Sequence, residues 1–277
     1  TQHISCFDYS SGASVGSDNL LRLYSTQSPS RYISHSRNSS GIQINSNSVF
    51  RTGSNIWSSI WNGSSSFGAY FNSSLNYFST GANSSPLGHN NIFLGSKNAL
   101  NVDALDGDIS EYIVFSKSLN NAERIIVENY LSTKYLIALS SNDKFSHDLT
   151  HGNQLAGIGR EDASNQHLDA QGEGILRVTS SGLDNGEYLL WGHDNGSLSS
   201  TATGIPASLG ASGAMLERQW RFSETGSGFG SISISFDLSS GLAFGDPNSY
   251  YLYTDSDGDF TSGAVGPIGP ATISGGF

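Results

Sequence analysis

The chain of 277 residues holds 13 Lys and Arg against 24 Asp and Glu residues, a formal net charge of −11. This balance lacks the basic patch that nucleic-acid binding needs, so we expect no nucleic-acid partner. A single cysteine, Cys6, excludes an internal disulfide framework, and no apolar run is long enough to span a membrane.

The charge is distributed unevenly along the chain and predicts a domain boundary. Residues 1–140 balance their basic and acidic side chains, whereas residues 141–277 carry the whole excess of negative charge. A chain of this length is typical of about two domains, each able to bury its own core. We therefore predict domains at 1–140 and 141–277. Charged residues make up only 13% of the chain and Gly is abundant, which is typical of turn-rich extracellular β-proteins.

Short runs of alternating apolar and polar residues predict a series of strands in the first half. The first, at 3–9, contains Cys6 as a small apolar residue. The strands that follow are predicted at 20–25, 31–37, 42–48, 56–61, 68–72, 75–79 and 91–96.

Residues 105–135 predict one further strand and then the chain's clearest helix. Ile109, Tyr112 and Val114 lie among polar residues, as in a half-buried strand. Asn120 and Glu123 then have the spacing of a capping box at a helix N-terminus. The apolar stripe predicted behind this cap consists of Ala122, Ile126 and Tyr130, with Val127 and Leu131 beside it.

This segment resembles the closing strand and helix of laminin-G-like (concanavalin A-like) domains in bacterial surface proteins. The matching residues are Gly107-Asp108-Ile109, Leu119, Ala122-Glu123-Arg124, Tyr130-Leu131 and Lys134-Tyr135. A hairpin of the same family matches Trp57, Trp61, Asn62, Gly63, Tyr70 and Asn72. The resemblance covers roughly residues 3–137 and implies an all-β, concanavalin A-like (laminin-G-like) β-sandwich with one C-terminal helix.

The resemblance begins inside the family pattern, so the opening strands of the sandwich are missing and an open edge would be left. We expect either that those strands precede Thr1 or that another surface protein subunit supplies them by strand addition.

The second half is also predicted to be β-structure, with strands at 155–159, 174–179, 187–191, 217–223, 231–238 and 250–254. The run at 231–238 alternates most clearly and places Ile232, Ile234 and Phe236 on one face. Four segments, LAGIGREDAS, LLWGHDNG, RQWRFSETG and LYTDSDGDFTSGA, resemble a β-domain found in secreted proteins of Bacteroidota and marine bacteria. We therefore expect a second β-sandwich-type domain.

Asp255, Asp257 and Asp259 have the D-x-D-x-D spacing of calcium-binding loops. Oxygen ligands two residues apart can wrap one cation, and Gly258 allows the turn. The full EF-hand pattern is not met, because no Glu ends the loop. The two interpretations are a Ca²⁺ site and an acidic hairpin turn.

Three other patterns that carry chemistry are weaker. Asp106, Asp108 and Glu111 are similar to the carboxylate motif of glucanases on a sandwich fold, but Asp106 replaces the catalytic Glu. The G-x-S-x-G match at 12–16 leads to a strand rather than to the helix that a nucleophile elbow requires. His147 and His151 could chelate a metal from one helical turn with Asp148 nearby, but solvated histidines of a linker explain them better. We therefore predict no enzymatic activity and no catalytic residue.

Aromatic side chains of the first half could form a sugar-binding platform, but core packing is the better explanation. They are Trp57, Trp61, Tyr70 and Tyr77. Possible N-glycosylation sequons occur at Asn38, Asn62, Asn72, Asn83 and Asn195.

The sequence therefore predicts a non-enzymatic adhesion or structural module of a large bacterial adhesin or filament, secreted or displayed on the cell surface. Binding of glycans by a lectin-like first domain is the alternative, and an accessory domain of a secreted glycoside hydrolase is the third possibility.

Overall fold

The computed structural model describes the backbone of residues 2–8, 20–27, 30–37, 43–49, 53–62, 66–80, 91–96, 105, 107–172, 175–226, 228–237 and 249–272. The chain divides into two compact units. The N-terminal unit comprises Thr1–Ser132 and Ile137–Asp143, and the C-terminal unit comprises Thr133–Leu136 and Lys144–Phe277. Both are dominated by antiparallel sheets, which confirms the predicted all-β class. That residues 1–140 and 141–277 fold separately stays a prediction.

The N-terminal unit contains two antiparallel sheets that contact each other through β4, β6 and β7. The five-stranded sheet has the order β4-β3-β2-β1-β8, and the three-stranded sheet has the order β5-β6-β7. Their strands are β1 (Gln2–Asp8), β2 (Leu20–Gln27), β3 (Ser30–Arg37), β4 (Gln43–Val49), β5 (Trp57–Trp61), β6 (Phe67–Phe71), β7 (Ser74–Ser79) and β8 (Asn91–Leu94). Each predicted strand up to residue 96 is thus present, with its ends shifted by a few residues.

The turn between β6 and β7 is fixed to the start of β5 by one asparagine. Asn72 and Ser73 have φ angles of 44° and 69°, the left-handed region that Asn tolerates better than most residues. The Asn72 amide oxygen accepts a 2.8 Å hydrogen bond from Ile56 N, and Asn72 N donates to Ile56 O at 2.9 Å. This explains an Asn at the hairpin position that the family resemblance marks.

Helix α1 spans Asn121–Tyr135 and begins at the predicted capping box. Glu123 N donates to Asn120 Oδ1 and Asn120 N donates to Glu123 Oε2, both at 3.0 Å. At the other end Leu136 has a φ of 52°, and Ile137 N donates to Ser132 O at 3.0 Å. This is the backbone pattern of a Schellman motif, here with Leu in place of the usual Gly.

The buried face of helix α1 differs from the predicted apolar stripe. Ala122 and Ile125 are buried, but Ile126 and Tyr130 are only half-buried. The other buried positions are polar: Arg124, Glu128, Asn129, Ser132 and Thr133. The stripe was wrong because it assumed that burial follows hydrophobicity, whereas these side chains are buried with hydrogen-bonding or charged partners.

The strand predicted around Ile109, Tyr112 and Val114 is also wrong. Residues 107–120 contain no strand, and three consecutive apolar side chains, Ile113, Val114 and Phe115, are exposed. Alternation along a sequence specifies which way side chains would point, but a strand also needs a neighbouring strand to complete its backbone hydrogen bonds.

The C-terminal unit contains a four-stranded sheet, β10-β9-β13-β16, and a three-stranded sheet, β11-β12-β17. Their strands are β9 (Asn153–Asp162), β10 (Asn165–His167), β11 (Asp169–Gln171), β12 (Leu176–Ser180), β13 (Glu187–His193), β16 (Trp220–Thr225) and β17 (Ile232–Phe236). Two small hairpins pair β14 (Ser200–Thr201) with β15 (Met215–Leu216) and β18 (Leu252–Thr254) with β19 (Val265–Ile268).

One apolar cluster connects these two sheets, as in a β-sandwich. Its buried members are Ala156, Ile158, Leu176, Val178, Leu183, Leu189 and Trp191. Ile232, Ile234 and Phe236 pack against the cluster, which confirms the face predicted for this strand. Strand β13 is buried along its whole length, so it forms the centre of the unit.

The short helix α2 (Asp148–His151) lies against β13 in the same unit. Contact is close at Gly192, where a Cβ atom would lie 2.2 Å from the carbonyl oxygen of His151. A residue without a side chain is therefore required here. In the described part of the chain, neither helix has the length and apolar character to cross a membrane.

Candidate functional site

The loop that contains the predicted calcium ligands is held in shape by its own carboxylates. Asp255 Oδ1 accepts hydrogen bonds from Asp257 N at 2.8 Å and Gly258 N at 2.6 Å, and Asp257 Oδ1 accepts from Asp259 N at 2.9 Å. Asp259 Oδ1 accepts from the backbone N of Thr261 at 3.1 Å and from its hydroxyl at 2.5 Å. We call residues 255–261 the acidic loop. Each of its aspartates stabilises the turn that follows it.

The hydrogen bonds to Asp255 stabilise the anionic form of its carboxylate. The backbone N–H of Asp257, helped by that of Gly258 and by the charge of Arg221, lowers the pKa of Asp255 below its usual value. Carboxylate oxygens are the ligands that Ca²⁺ prefers, so the chemistry of the loop suits this ion. Across the described residues, however, no three His, Cys, Asp or Glu side chains are grouped as ligands of one metal. A calcium site would therefore need the carboxylates of Asp255, Asp257 and Asp259 to turn towards a common point.

Beside the acidic loop lies an open cleft of about 390 Å³ in the C-terminal unit. The β14–β15 hairpin and its flanks contribute one side, and the acidic loop contributes the other. The polar and aromatic side chains that line the cleft are Thr201, Thr203, Glu217, Gln219, Asp259 and Phe260. Carboxylate, amide, hydroxyl and aromatic groups thus converge on one concave surface.

Local hydrogen bonds position the polar groups of this cleft. The hydroxyls of Thr201 and Thr203 lie 2.9 Å apart, and Thr203 N donates to Thr201 Oγ1 at 3.1 Å. Gln219 is held through its backbone, because Gln219 N donates to Asp194 Oδ1 and Gln219 O accepts from Asp194 N, both at 3.2 Å. Its side chain reaches towards Gly258, whose φ is 91° and whose Cβ would lie 3.9 Å from Gln219 Oε1.

Sequence reasoning missed this cleft apart from Asp259. Its walls come from separate segments around residues 201–204, 215–219 and 258–260, and no motif connects them. The nearest signal in the sequence was the acidic loop, which marks one wall but says nothing about the hairpin opposite.

His147 and His151 lie at helix α2 of the C-terminal unit, so the interpretation of this segment as a linker is wrong. Both are half-buried, and their rings are 6.4 Å apart at the two ends of helix α2. The His147 ring also meets the buried Phe145 ring edge-on at 5.8 Å. The helical turn required for chelation exists, but within the described residues it has no third metal ligand.

Arg221 connects this histidine pair to the acidic loop. Arg221 Nε donates to His147 Nε2 at 3.4 Å, and Arg221 Nη2 donates to Ser256 O at 2.6 Å. Desolvation lowers the pKa of His147, and the charge of Arg221 lowers it further. Desolvation lowers the pKa of His151 as well. Neutral imidazoles beside Arg221 therefore help to keep the loop anchored at neutral pH.

The aromatic residues of the N-terminal unit behave as predicted for core packing. Trp57 and Tyr77 pack against the buried Phe67 and Ala69, and Trp57 meets Phe71 edge-on at 5.7 Å. The side chain of Trp61 lies outside the described residues.

Tyr70 is covered by a buried ion pair of helix α1. The Arg124 guanidinium lies 3.8 Å above the centre of the Tyr70 ring. Arg124 Nη1 also contacts Glu128 Oε2 at 2.5 Å, and both side chains of this pair are at most 6% exposed. Burial raises the pKa of Glu128, and the charge of Arg124 opposes that rise. The pair therefore has a structural role in the unit.

The glucanase-like carboxylates are not placed on a strand. Residues 107–120 contain none, Asp108 is exposed, and Glu111 accepts a 3.2 Å hydrogen bond from the Tyr130 hydroxyl. Asp106 and the G-x-S-x-G match at 12–16 lie outside the described residues.

Of the possible glycosylation sites, Asn62 and Asn195 are exposed and Asn72 is buried. The Asn72 side-chain nitrogen donates to Asn55 Oδ1 at 3.2 Å, which leaves no room for a glycan on the folded chain. Asn38 and Asn83 lie outside the described residues.

Comparison with known proteins gives one finding. The model of a family described as a domain of unknown function (DUF8202) matches residues 175–275. No curated protein matches the chain. No solved structure matches it either. The matched stretch contains both the cleft and the acidic loop.

Proposed function

We propose that the chain is a non-enzymatic adhesion or structural module of a secreted or surface-displayed bacterial protein. The observation that carries this proposal is that one chain holds two compact units, each built on its own antiparallel sheets. Several turns of the C-terminal unit are held by Asp, Ser and Thr side chains rather than by charge pairs. The turns held by Ser and Thr suit an extracellular module because salt does not screen neutral hydrogen bonds.

The N-terminal unit is proposed to be a laminin-G-like sandwich. The capping box of Asn120 and Glu123 and the hairpin turn at Asn72 support this, because both lie where the resemblance places them. An experimental structure of the chain tests the proposal, and a sheet topology unlike that of concanavalin A-like domains would refute it.

Association with other surface subunits would use an edge of the five-stranded sheet. Within the described strands, β4 and β8 end this sheet. Strand β4, with the sequence QINSNSV, contains neither Pro nor a charged residue, the usual protections of an edge. A second copy of the chain serves as the probe. Sedimentation velocity should show mass rising with concentration, and Asn45→Lys with Asn47→Lys should abolish that rise. A wild-type chain that stays monomeric at all concentrations argues against this contact.

Calcium is proposed to stiffen the acidic loop by turning its carboxylates onto one ion. Because an ion that binds only the folded state stabilises it, the melting temperature should be higher in calcium than in EGTA. Asp257→Asn should remove most of that difference. The matched control, Asp184→Asn, changes an exposed carboxylate outside the loop and should leave the difference intact. Equal melting temperatures of the wild type in calcium and in EGTA sink the idea.

Carbohydrate recognition is the second candidate, and the cleft of the C-terminal unit favours it. Its volume of about 390 Å³ lies within the range of about 300–1,000 Å³ that small-ligand sites have, and its mostly polar lining suits a ligand rich in hydroxyl groups. A glycan array separates the two candidates. Dose-dependent binding favours a lectin-like module, whereas silence across the array favours a purely structural one.

A further inference from the structure

We propose that the cleft beside the acidic loop binds a hydroxyl-rich, non-acidic saccharide, neutral or amine-bearing, and rejects uronate and sulfated sugars. This inference rests on the proposal of carbohydrate recognition and deepens it. It moves the site from the first half, where the aromatic residues are packed, to the C-terminal unit.

Phe260 supplies an apolar surface for the ligand. It follows Asp259 directly at the edge of the cleft and is half-buried, so part of its ring remains available. A sugar ring has an apolar face of C–H groups as well as hydroxyls at its rim. The Phe260 ring can cover that face while the rim meets polar side chains.

The polar side chains of the cleft match a ligand that both donates and accepts hydrogen bonds. The Gln219 amide offers two donors and an acceptor, and the hydroxyls of Thr201 and Thr203 can do either. The Glu217 and Asp259 carboxylates accept only, so they need hydroxyl or ammonium donors from the ligand. Asp259 uses Oδ1 to hold Thr261, and its exposed carboxylate can also accept a hydrogen bond from a ligand.

The charge of the cleft decides which sugars are accepted. Two carboxylates line it, and the described residues of its lining include no Lys, Arg or His. Asp255 and Asp257 in the same loop add to the negative potential. Two nearby arginines offset part of this charge, and hydrogen bonds to backbone oxygens hold them, Arg218 Nε to Gly196 O at 2.9 Å and Arg221 Nη2 to Ser256 O at 2.6 Å. The four carboxylates outnumber these two guanidinium groups, so a ligand carboxylate or sulfate would meet a net negative charge, whereas an ammonium group would be attracted.

Isothermal titration of the full chain with matched oligosaccharides tests the inference. The probes are glucosamine hexamer, N-acetylglucosamine hexamer, a panel of neutral hexoglucans and oligogalacturonate of equal length. At least one non-acidic probe should bind, and oligogalacturonate should not. Glu217→Gln and Asp259→Asn should each weaken the amine-bearing probe about tenfold and the neutral probes less, because a charge-assisted hydrogen bond is lost.

Glu224→Gln is the matched control, because it removes the same charge from an exposed position of β16 outside the cleft. It should leave affinity unchanged, which separates a local contact from a general attraction to an acidic protein. Phe260→Ala should lose binding of every probe. Phe260→Leu keeps an apolar side chain at the same position, and the melting temperatures of both variants show whether a loss of binding comes from a folding defect.

The possible outcomes distinguish this inference from the proposals of carbohydrate recognition and of a structural module. Binding of a non-acidic glycan that no cleft variant alters overturns the cleft as the site and leaves carbohydrate recognition standing. Oligogalacturonate bound as tightly as the neutral probes overturns the charge selection. The absence of any glycan binding overturns both the cleft inference and the proposal of carbohydrate recognition. The structural proposal is tested separately by sedimentation.

Discussion

The two units bury different chemistry. In the C-terminal unit, two sheets close over an apolar cluster that includes Ile158, Leu176 and Trp191. In the described part of the N-terminal unit, helix α1 instead buries Arg124 and Glu128 together with several neutral polar side chains. The C-terminal unit is stabilised chiefly by the apolar area that it removes from water. Helix α1 of the N-terminal unit is stabilised by pairing between specific groups.

The difference shows how strictly each buried region limits the side chains that it can accept. An apolar cluster tolerates exchanges of similar volume, because dispersion and the hydrophobic effect have no direction. A buried charge tolerates only the partner that neutralises it, and Glu128 lies one turn from Arg124 on the same helix. The contact of Arg124 with Tyr70 on β6 then fixes the rotation of helix α1 about its axis. Substitutions in each unit can test this contrast between an apolar cluster and a buried ion pair.

The largest expected effect comes from breaking the buried ion pair. Arg124→Ala leaves the Glu128 carboxylate buried and unpaired, which should lower the free energy of unfolding by about 3–5 kcal/mol. Urea denaturation followed by circular dichroism measures the change. Lys117→Ala is the control, because Lys117 pairs with Glu123 at the surface and should lose at most about 1 kcal/mol.

The double variant Arg124→Met with Glu128→Leu sharpens the comparison by giving helix α1 an apolar face like that of the other unit. It should recover most of the stability lost in Arg124→Ala, because no charge is then left buried. A loss in Arg124→Ala no larger than in Lys117→Ala would show that the pair is not buried in solution.

The next effect tests the C-terminal unit at Gly192. In Gly192→Ala the new methyl group would lie 2.2 Å from the His151 carbonyl oxygen, so helix α2 must move away from β13. We expect a loss of about 1–3 kcal/mol in the free energy of unfolding, the usual cost of overpacking.

Gly182→Ala is the matched control, since nothing lies within 4 Å of a Cβ atom there. Its free energy of unfolding should stay within about 0.5 kcal/mol of the wild type. If both variants behave alike in the same urea titration, the close approach between α2 and β13 is absent.

A smaller loss is expected at the start of helix α1. Asn120→Ala removes the oxygen that accepts from Glu123 N and should lower the free energy of unfolding by about 0.5–2 kcal/mol. Asn120→Asp keeps an acceptor at the helix N-terminus and should be nearly neutral. Thermal melts of the three proteins test this, and equal losses in both variants would contradict the capping box.

The cap and most strands could be predicted because they depend on local chemistry. Asn120 and Glu123 are three residues apart, and a strand such as Ile232–Phe236 shows its buried face in its own alternation. The buried face of helix α1 could not be predicted in the same way. Arg124 is buried because Tyr70 and Glu128 are present, and Tyr70 is more than fifty residues away in the sequence.

The candidate site shows the same limit. The acidic loop is one continuous stretch, so its aspartates were found. Thr201 reaches the cleft through the pairing of β14 with β15, and Gln219 is held there by its backbone hydrogen bonds with Asp194. The contact of Arg221 with His147 likewise joins residues 74 positions apart. Residues 109–114 show the opposite error, because this strand-like pattern pairs with no strand among the described residues.

The last prediction concerns pH and is the smallest in expected size. Because desolvation lowers the pKa of His147 in the folded chain, the unfolded chain binds more protons below its ordinary pKa of about 6.5. The contribution of neutral His147 to stability is therefore complete above that pH and is lost as the pH falls towards the lowered value. Nearby Arg221 and His151 strengthen this dependence, whereas Asp148 opposes it.

His147→Gln isolates this contribution because every other titrating group is retained. Glu128, whose pKa is raised by burial, gains rather than loses stability on acidification, so the wild-type curve alone would mix the two effects. Urea denaturation of both proteins at about pH 7.5 and about pH 5.5 should show that the wild type loses more stability than His147→Gln. Equal losses would mean that His147 stays solvated. Arg221 would then connect helix α2 to the acidic loop without depending on a neutral imidazole.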